Sequence, residues 1–424
     1  MSVLLETAQE PAGLLAALEA AWQGGAVVGL ACPEERPALR QSLASPGVER
    51  AVGAWGPGLL LASGGSSAER CESRRWCLQP LEHLEASAAA TGAWLQDLGL
   101  DPAACLHLDP LPLHHVSGLL PLLRCRCWGA ELRGLPAALL RQPEQLAQAL
   151  PLPADRPVLL SLVPTQLERL LSRPEGIDWL RGCSVIWVGG AGLSPAQAAA
   201  ARAAQLPLAP CYGASETAAM VCALEPRRFL AGERGCGAPL ADVRLRLDPG
   251  SGAVEVVTSR LSPGFLVEGG WQPLPRTADG WWRSGDAGRW LRCEAEADAG
   301  WGSGSLELLG RLDGAISSGG ETVFPEQVEA ALAGVPQLAA LLLLGRLDPL
   351  WGERLEALVR LEPGADGAMV LAALQQAAKA LPPPQRPRAW HLCPELAPNG
   401  RGKWERRRWL AWLQAQDDGS RGAR

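Results

Sequence analysis

The chain has almost no tyrosine, asparagine or lysine. Among its 424 residues there is one Tyr (Tyr212), one Asn (Asn399) and two Lys (Lys379 and Lys403). Arginine fills nearly every other basic position, and Trp, with 17 copies, outnumbers Phe with three. We read this skew as GC-rich coding, under which a lysine is retained where arginine will not serve. With a net charge of −6 the sequence advertises no basic surface for nucleic acid. The apolar N-terminal run LLAALEAAW carries Glu19 and has no basic leader, so neither a membrane span nor a secretory signal is expected. The 12 cysteines form no CxxC pair, which fits thiols in a reducing cytoplasm. Cys125 and Cys127, with His114 and His115 upstream, read more simply as buried thiols than as a zinc site.

What is present is a globular composition, 47% hydrophobic and 20% charged, long enough for two or three domains. From residue 158 strands and helices alternate. VLLSLV is followed by PTQLERLLSR, then SVIWV, a Gly-Gly turn, an alanine-rich helix opened by Ser194 and Pro195, and LPLAP. This order predicts a parallel sheet with right-handed crossovers. Ligands on such sheets sit beyond the carboxyl ends of the strands, where the Gly-Gly turn and CYGASE fall. From 243 to 310 short strands broken by Gly and Pro (VRLRLD, AVEVVTS, WWRSGDAG, LELLG) predict an antiparallel or barrel-like module. After GRLDG, the helix PEQVEAAL, the strands LAALLLLG and EALVRLEP, the helix MVLAALQQAAKAL and the strand RAWHLC predict a compact α+β unit.

Several short segments could carry chemistry. LLLASGGSSAER (59–70) is an apolar run leading into a small, hydroxyl-rich loop whose backbone N–H groups could converge on an anion; a flexible surface loop reads it as well. HLDPLPLHHVSGLLPLL (107–123) sets two adjacent histidines followed by Ser-Gly at the end of an apolar run, where they could line a pocket or serve as structural histidines. In WWRSGDAG, Asp286 is expected in a tight turn after an aromatic strand, able to bind ribose hydroxyls or to cap its own turn. PNGRGKWERRR (398–408) places the scarce Lys403 in a glycine-flanked loop.

Taken together and in order, SGGSSAER, PLHHVSGL, VGGAGL, CYGASETAA, RSGDAG, GRLDGAISSGGETVFPEQVEAAL and PNGRGK resemble the adenylate-forming acyl-CoA synthetase family over residues 60–408. The resemblance implies an α/β fold. A large N-terminal domain (1–310) of parallel, doubly wound sheets with a small β-barrel-like subdomain would precede a hinge (311–314) and a small mobile α+β C-terminal domain (315–424). It also implies a two-step enzyme using a carboxylic acid, ATP, Mg2+ and coenzyme A, with no nucleic-acid partner; a homo-oligomer is left open. The alternatives are a ligase for another acid or an inactive homologue that binds nucleotide or a partner.

By the same resemblance, Ser63, Gly64, Gly65, Ser66 and Ser67 hold the outer phosphates of ATP, with Arg70 nearby. Gly190 and Ala191 border the adenine, and Tyr212 stacks on it, followed by Gly213. Ser215 offers a hydroxyl to phosphate, and Glu216 holds the magnesium ion, a hard cation that prefers oxygen ligands. Asp286 takes the ribose with help from Arg311. Lys403 bridges the attacking carboxylate and the α-phosphate, a task for a compact ammonium. Asp313 is the hinge residue, and Gly319 and Gly320 form the loop used in the coenzyme A step. His115, Ser117, Arg124 and Ser161 are candidates for the acyl pocket, Arg124 with an ordinary surface role as its competitor. The phosphate loop departs from the family pattern at Gly65, Glu69 and Arg70, and the N-terminal portion is short for the family.

Overall fold

The structure is a computed structural model that describes residues 3–6, 10–45, 47–63, 75–291, 304–318, 321–348, 352–398 and 404–421. They fall into two compact units, one comprising residues 1–193, 197–284 and 288–308, the other 194–196, 285–287 and 309–424.

The first unit holds two six-stranded sheets. One runs in the order β1 (Val3–Glu6), β2 (Val27–Leu30), β3 (Gly58–Ser63), β4 (Arg75–Pro80), β13 (Gly264–Val267), β14 (Gly270–Pro273). Its first three strands are parallel and the rest antiparallel. The other contains β5 (Leu106–Asp109), β6 (Glu131–Gly134), β7 (Val158–Leu162), β8 (Val185–Val188), β9 (Leu208–Ala214) and β10 (Ala219–Ala223), in the order β10-β9-β8-β7-β5-β6. Strands β5 to β9 are parallel, and β10 folds back antiparallel on β9. The strands VLLSL and VIWV are buried at every position, because the sheet is covered on both faces. Leu106, Leu108, Leu160 and Ile186 pack into one cluster, while Leu159, Val185, Trp187 and Tyr212 point into another. That is the period-two alternation of a strand.

The helices Leu81–Asp97 and Val116–Trp128 pack together through the Trp128 indole, which donates to Ala88 O at 3.0 Å. Gly118, near the start of the second, permits a close approach. A Cβ there would lie 2.5 Å from Pro112 O and 2.6 Å from Leu111 O. The Gly- and Pro-broken segment forms a four-stranded sheet, β11 (Arg244–Leu247), β12 (Ala253–Val257), β15 (Trp282–Leu291) and β16 (Ser305–Arg311).

The second unit is built on a sheet of β17 (Ile316–Ser318), β18 (Glu321–Val323), β19 (Leu338–Asp348), β20 (Gly352–Leu361) and β21 (Ala389–Leu392). The two long apolar strands pair antiparallel, as their lengths predict, and β21 adds parallel to β20. Helices Pro325–Leu332 and Gly367–Ala378 bury Val328, Leu332, Val370 and Leu374 with the sheet. Among the described residues, no helix is long and apolar enough to cross a membrane.

Candidate active site

Tyr212 is not beyond the end of its strand, as the sequence suggests, but inside β9, 8% exposed. The reason is β10, whose Cys222 pairs with it across the ladder. At the next residue the two strands come too close for any side chain: a Cβ on Gly213 would lie 2.1 Å from Ala219 O. The chain then turns through a 3-10 segment, Ser215–Thr217, into Ala218 and Ala219, whose φ angles are 50° and 77°. Left-handed backbone without glycine costs on the order of 1–3 kcal/mol at each residue, so the surroundings must impose it.

They do so with buried polar groups. The Thr217 hydroxyl accepts from Ala214 N–H at 3.0 Å and donates to Ala219 O at 2.6 Å. The guanidinium of Arg260, fully buried, donates from Nη1 to Thr217 O (2.6 Å), from Nη2 to Met220 O (2.8 Å), and from Nε to Asp242 Oδ2 (2.6 Å). Gln79 Nε2 donates to Ser215 O at 2.5 Å, and Ser262 N–H to Glu216 O at 2.8 Å. The result fixes the Glu216 carboxylate, whose Oε1 accepts from Ser63 Oγ at 2.7 Å at the end of β3. The structure thus joins Ser63 and Glu216, which lie 153 residues apart. Sequence reasoning missed Arg260, Asp242, Gln79 and Ser262. In a chain this rich in arginine, Arg260 carries no signal of its own.

Beside this turn, the loop after β8 reaches Gly190, with φ +79°, and Ala191, both exposed. Because β8 and β9 pair in parallel, with Val188 opposite Pro210, this loop and Tyr212 share the carboxyl edge of the sheet.

On the face that carries Trp187 and Tyr212 lies a second buried polar group. His107 and Asp109, two apart on β5, join Ser161 on β7 and Arg124 from helix Val116–Trp128. His107 Nε2 is 3.4 Å from Ser161 Oγ. Its ring lies 5.6 Å from that of Trp187, over which Arg124 places its guanidinium at 5.3 Å. Arg124 is 5% exposed, which rules out the surface role. Burial lowers it to about 10 and pushes neutral His107 down to about 3, with the Arg124 charge adding to the latter. Burial raises Asp109 to about 8, opposed by the N–H of Leu111 and by Arg124. His107 Nδ1, Asp109 Oδ2 and Arg124 Nε are all buried without a hydrogen-bond partner among the described residues.

Of the acyl-pocket candidates, the structure brings Arg124 and Ser161 together. Ser117 is exposed on the first helical turn, and the His115 ring lies tilted against that of His114, centroids 4.4 Å apart. His114 itself groups with Cys32 and Glu35, their donor atoms within 4.8 Å. His107 and Asp109 went unnoticed although HLD has the period-two signature of one strand face. Of the two cysteines expected to be buried thiols, Cys125 is buried, pushed by burial to about 12, whereas Cys127 is exposed.

In the second unit, Arg311 donates from Nε and Nη2 to Asp313 at 3.1 and 3.0 Å, and lies 3.5 Å from Asp286 Oδ1. Asp286 is not in a tight turn. It sits within the ten-residue strand β15, because Gly285, which reads as a turn glycine, instead makes room for the Arg311 guanidinium: a Cβ there would lie 2.4 Å from Nη2. Gly64, Gly65, Ser66, Ser67, Arg70, Gly319, Gly320 and Lys403 lie outside the described residues.

Comparison with known proteins shows what the chain is similar to. The family described as AMP-binding enzyme matches residues 80–257. A 2-succinylbenzoate–CoA ligase of Enterococcus faecalis is 27% identical over 78% of this chain and 66% of its own length. A probable 2-succinylbenzoate–CoA ligase of Mycobacterium tuberculosis is 29% identical over 70% of this chain and 71% of its own. The chain thus spans about two-thirds of the length of these curated relatives. Among solved structures, o-succinylbenzoate CoA synthetase of Bacillus subtilis with its acyl-adenylate has a TM-score of 0.74 at 18% identity, covering 96% of this chain and 87% of that one. Wild-type E. coli MenE, solved with an analogue of OSB-AMS, reaches 0.68 at 23% identity, over 98% and 88%. These likenesses show the fold.

Proposed function

We propose that the chain, whose residues 80–257 match the AMP-binding enzyme family, is an AMP-forming acid–CoA ligase acting on o-succinylbenzoate, in menaquinone or phylloquinone synthesis. The observation that carries the reading is the buried Arg124 guanidinium on the same sheet face as Tyr212. An acid with two carboxylates needs a counter-ion for the one that does not react, and a desolvated guanidinium is that counter-ion. The curated relatives named for this acid support the choice.

In the first half-reaction the acid's other carboxylate oxygen attacks the α-phosphorus of ATP. A P–O bond forms as the bond to pyrophosphate breaks, leaving acyl-adenylate. In the second, the thiol sulfur of coenzyme A attacks the acyl carbon, AMP departs with the C–O electron pair, and the thiol proton passes to solvent. No covalent enzyme intermediate is needed, so the protein's part is positioning and charge neutralisation.

Tyr212 covers the adenine, bordered by Gly190 and Ala191, and Ser63 to Ser67 with Arg70 hold the outer phosphates. Ser215 adds a hydroxyl. Glu216, a carboxylate fixed beside a serine hydroxyl, suits Mg2+, which when bound neutralises phosphate charge. Asp286 takes the ribose hydroxyls with Arg311. Lys403 meets the attacking carboxylate and the α-phosphate, and residues 315–424 then turn about Asp313 to bring Gly319 and Gly320 to the thiol.

ATP–pyrophosphate exchange across a panel of carboxylic acids tests the proposal. Exchange with o-succinylbenzoate is expected. Exchange with another acid alone keeps the enzyme class and discards the substrate, an outcome for which the indoleacetate–CoA ligase relative of Aromatoleum aromaticum, 30% identical over 59% of this chain, gives a starting point. No exchange with any acid means a binding protein.

A further inference from the structure

We infer that Asp109 is a specificity-determining residue of the acyl pocket: in its protonated form it donates through Oδ2 to the non-reacting carboxylate of a dicarboxylic acid whose counter-ion is Arg124. This rests on the reading of the site as the acyl pocket of an acid–CoA ligase.

The geometry is asymmetric in a telling way. Asp109 Oδ1 is committed to the N–H of Leu111 at 3.0 Å, which fixes the carboxyl group at the end of β5. Its other oxygen is buried and has no hydrogen-bond partner among the described residues, and the same holds for Arg124 Nε. A donor and a potential donor, both desolvated, therefore await a ligand with acceptor oxygens. A carboxylate has two.

Charge balance decides the protonation state. The groups that act on Asp109 are the N–H of Leu111 and, from helix Val116–Trp128, Arg124 and Cys125; Cys105, just before β5, acts on Cys125, while His107 on β5 and Cys211 on β9 interact with Arg124, and Ser161 on β7 faces His107. His107 is held neutral, and the thiols of Cys105, Cys125 and Cys211 are pushed to between about 11 and about 12 by burial, so they carry no charge. Arg124 also feels Arg260, which the Asp242 carboxylate offsets. That leaves one cation facing the ligand. Two ionised carboxylates beside one buried guanidinium is an unfavourable count, and one of the pair must keep a proton. Asp109, raised to about 8, is the one that does. Its proton turns a repulsion into a hydrogen bond. The same device rejects an acid that lacks the second carboxylate, because binding it would leave Arg124 buried and uncompensated.

The test compares two acids, o-succinylbenzoate and 4-oxo-4-phenylbutanoate, which lacks the ring carboxylate, in pyrophosphate exchange from pH 6 to pH 9.5. Taking the ratio of their KM values cancels pH effects on ATP and on Lys403. For the unmodified enzyme the ratio is expected to be level below about pH 7 and to rise about tenfold per pH unit above about 8, as Asp109 ionises. Asp109→Asn, of the same shape and permanently neutral, is expected to level the ratio across the range while still exchanging o-succinylbenzoate. A flat ratio in the unmodified enzyme overturns the inference, whether or not the variant folds. So does an Asp109→Asn enzyme in which both KM values move together, which marks a structural aspartate. Exchange with neither acid overturns the inference together with the substrate reading it rests on.

Discussion

Replacing Arg260 by methionine tests whether the Glu216 turn is held from beneath. The substitution keeps much of the volume of the stem and removes the fork. Three acceptors lose the Arg260 donor at once: Asp242, Thr217 O and Met220 O, at 2.6, 2.6 and 2.8 Å, although Asp242 Oδ2 still accepts from Thr258 Oγ1 at 3.2 Å. Breaking a buried charge pair by removing one partner costs about 3–5 kcal/mol. The Asp242 side chain is 28% exposed and recovers some hydration, which moves that part toward the low end. The two carbonyls lie in the interior, and each orphaned acceptor adds about 1–3 kcal/mol before relaxation. A net loss of ~4 kcal/mol is therefore expected. Relaxation should occur where the backbone is already strained, at Ala218 and Ala219, and it should carry Glu216 away from Ser63. Displacement of about 1 Å at such a site lowers rates about 100-fold. Urea unfolding followed by tryptophan fluorescence gives the stability, and pyrophosphate exchange on folded protein gives the rate. Arg260→Lys, which retains charge but cannot span all three acceptors, should fall between. A stability loss under about 1 kcal/mol with unchanged exchange would refute the argument that Arg260 imposes the turn.

Three further outcomes are expected. Tyr212→Leu should raise the KM for ATP about 5- to 100-fold, the worth of one stacked base, with kcat less affected, whereas Glu216→Ala should chiefly lower kcat; steady-state kinetics separates the two. Lys403→Ala should abolish adenylate formation yet spare thioester formation from supplied acyl-adenylate, which single-turnover assays of each half-reaction can check. Because Asp109 titrates near 8 when folded and near 3.8 when unfolded, the unfolded chain releases this proton first. Its contribution therefore lowers stability as pH rises from about 4 to about 8, by at most about 1.4 kcal/mol per pH unit, and is level outside that window. Asp109→Asn should remove this decline, so that its advantage over the unmodified protein in urea unfolding is larger at pH 8 than at pH 5.

Much of this was legible from one short stretch. CYGASET offered an aromatic face, a glycine, and a hydroxyl and carboxylate three and four residues after the tyrosine, and the structure puts the first two at the end of β9 and the last two in the turn that follows. The alternation from 158 onward correctly predicted parallel strands, since apolar runs separated by helices can be buried only in such a sheet. Asp286 was misplaced because Gly285 looks the same in sequence whether it bends the chain or clears space for Arg311.

The sequence by itself determined the order of strands and helices from residue 158 onward, the residues of the Tyr212–Glu216 stretch and the scarcity that singles out Lys403, because each rests on local pattern or composition. Only the tertiary structure decided that Arg260 and Asp242 grip the turn from 43 and 25 positions away from Thr217, the first donating straight to its carbonyl. The same is true of the group of His107, Asp109, Arg124 and Ser161 on one sheet face. Those side chains are ordinary in their own segments. What changes them is desolvation, and desolvation depends on which distant elements close over them.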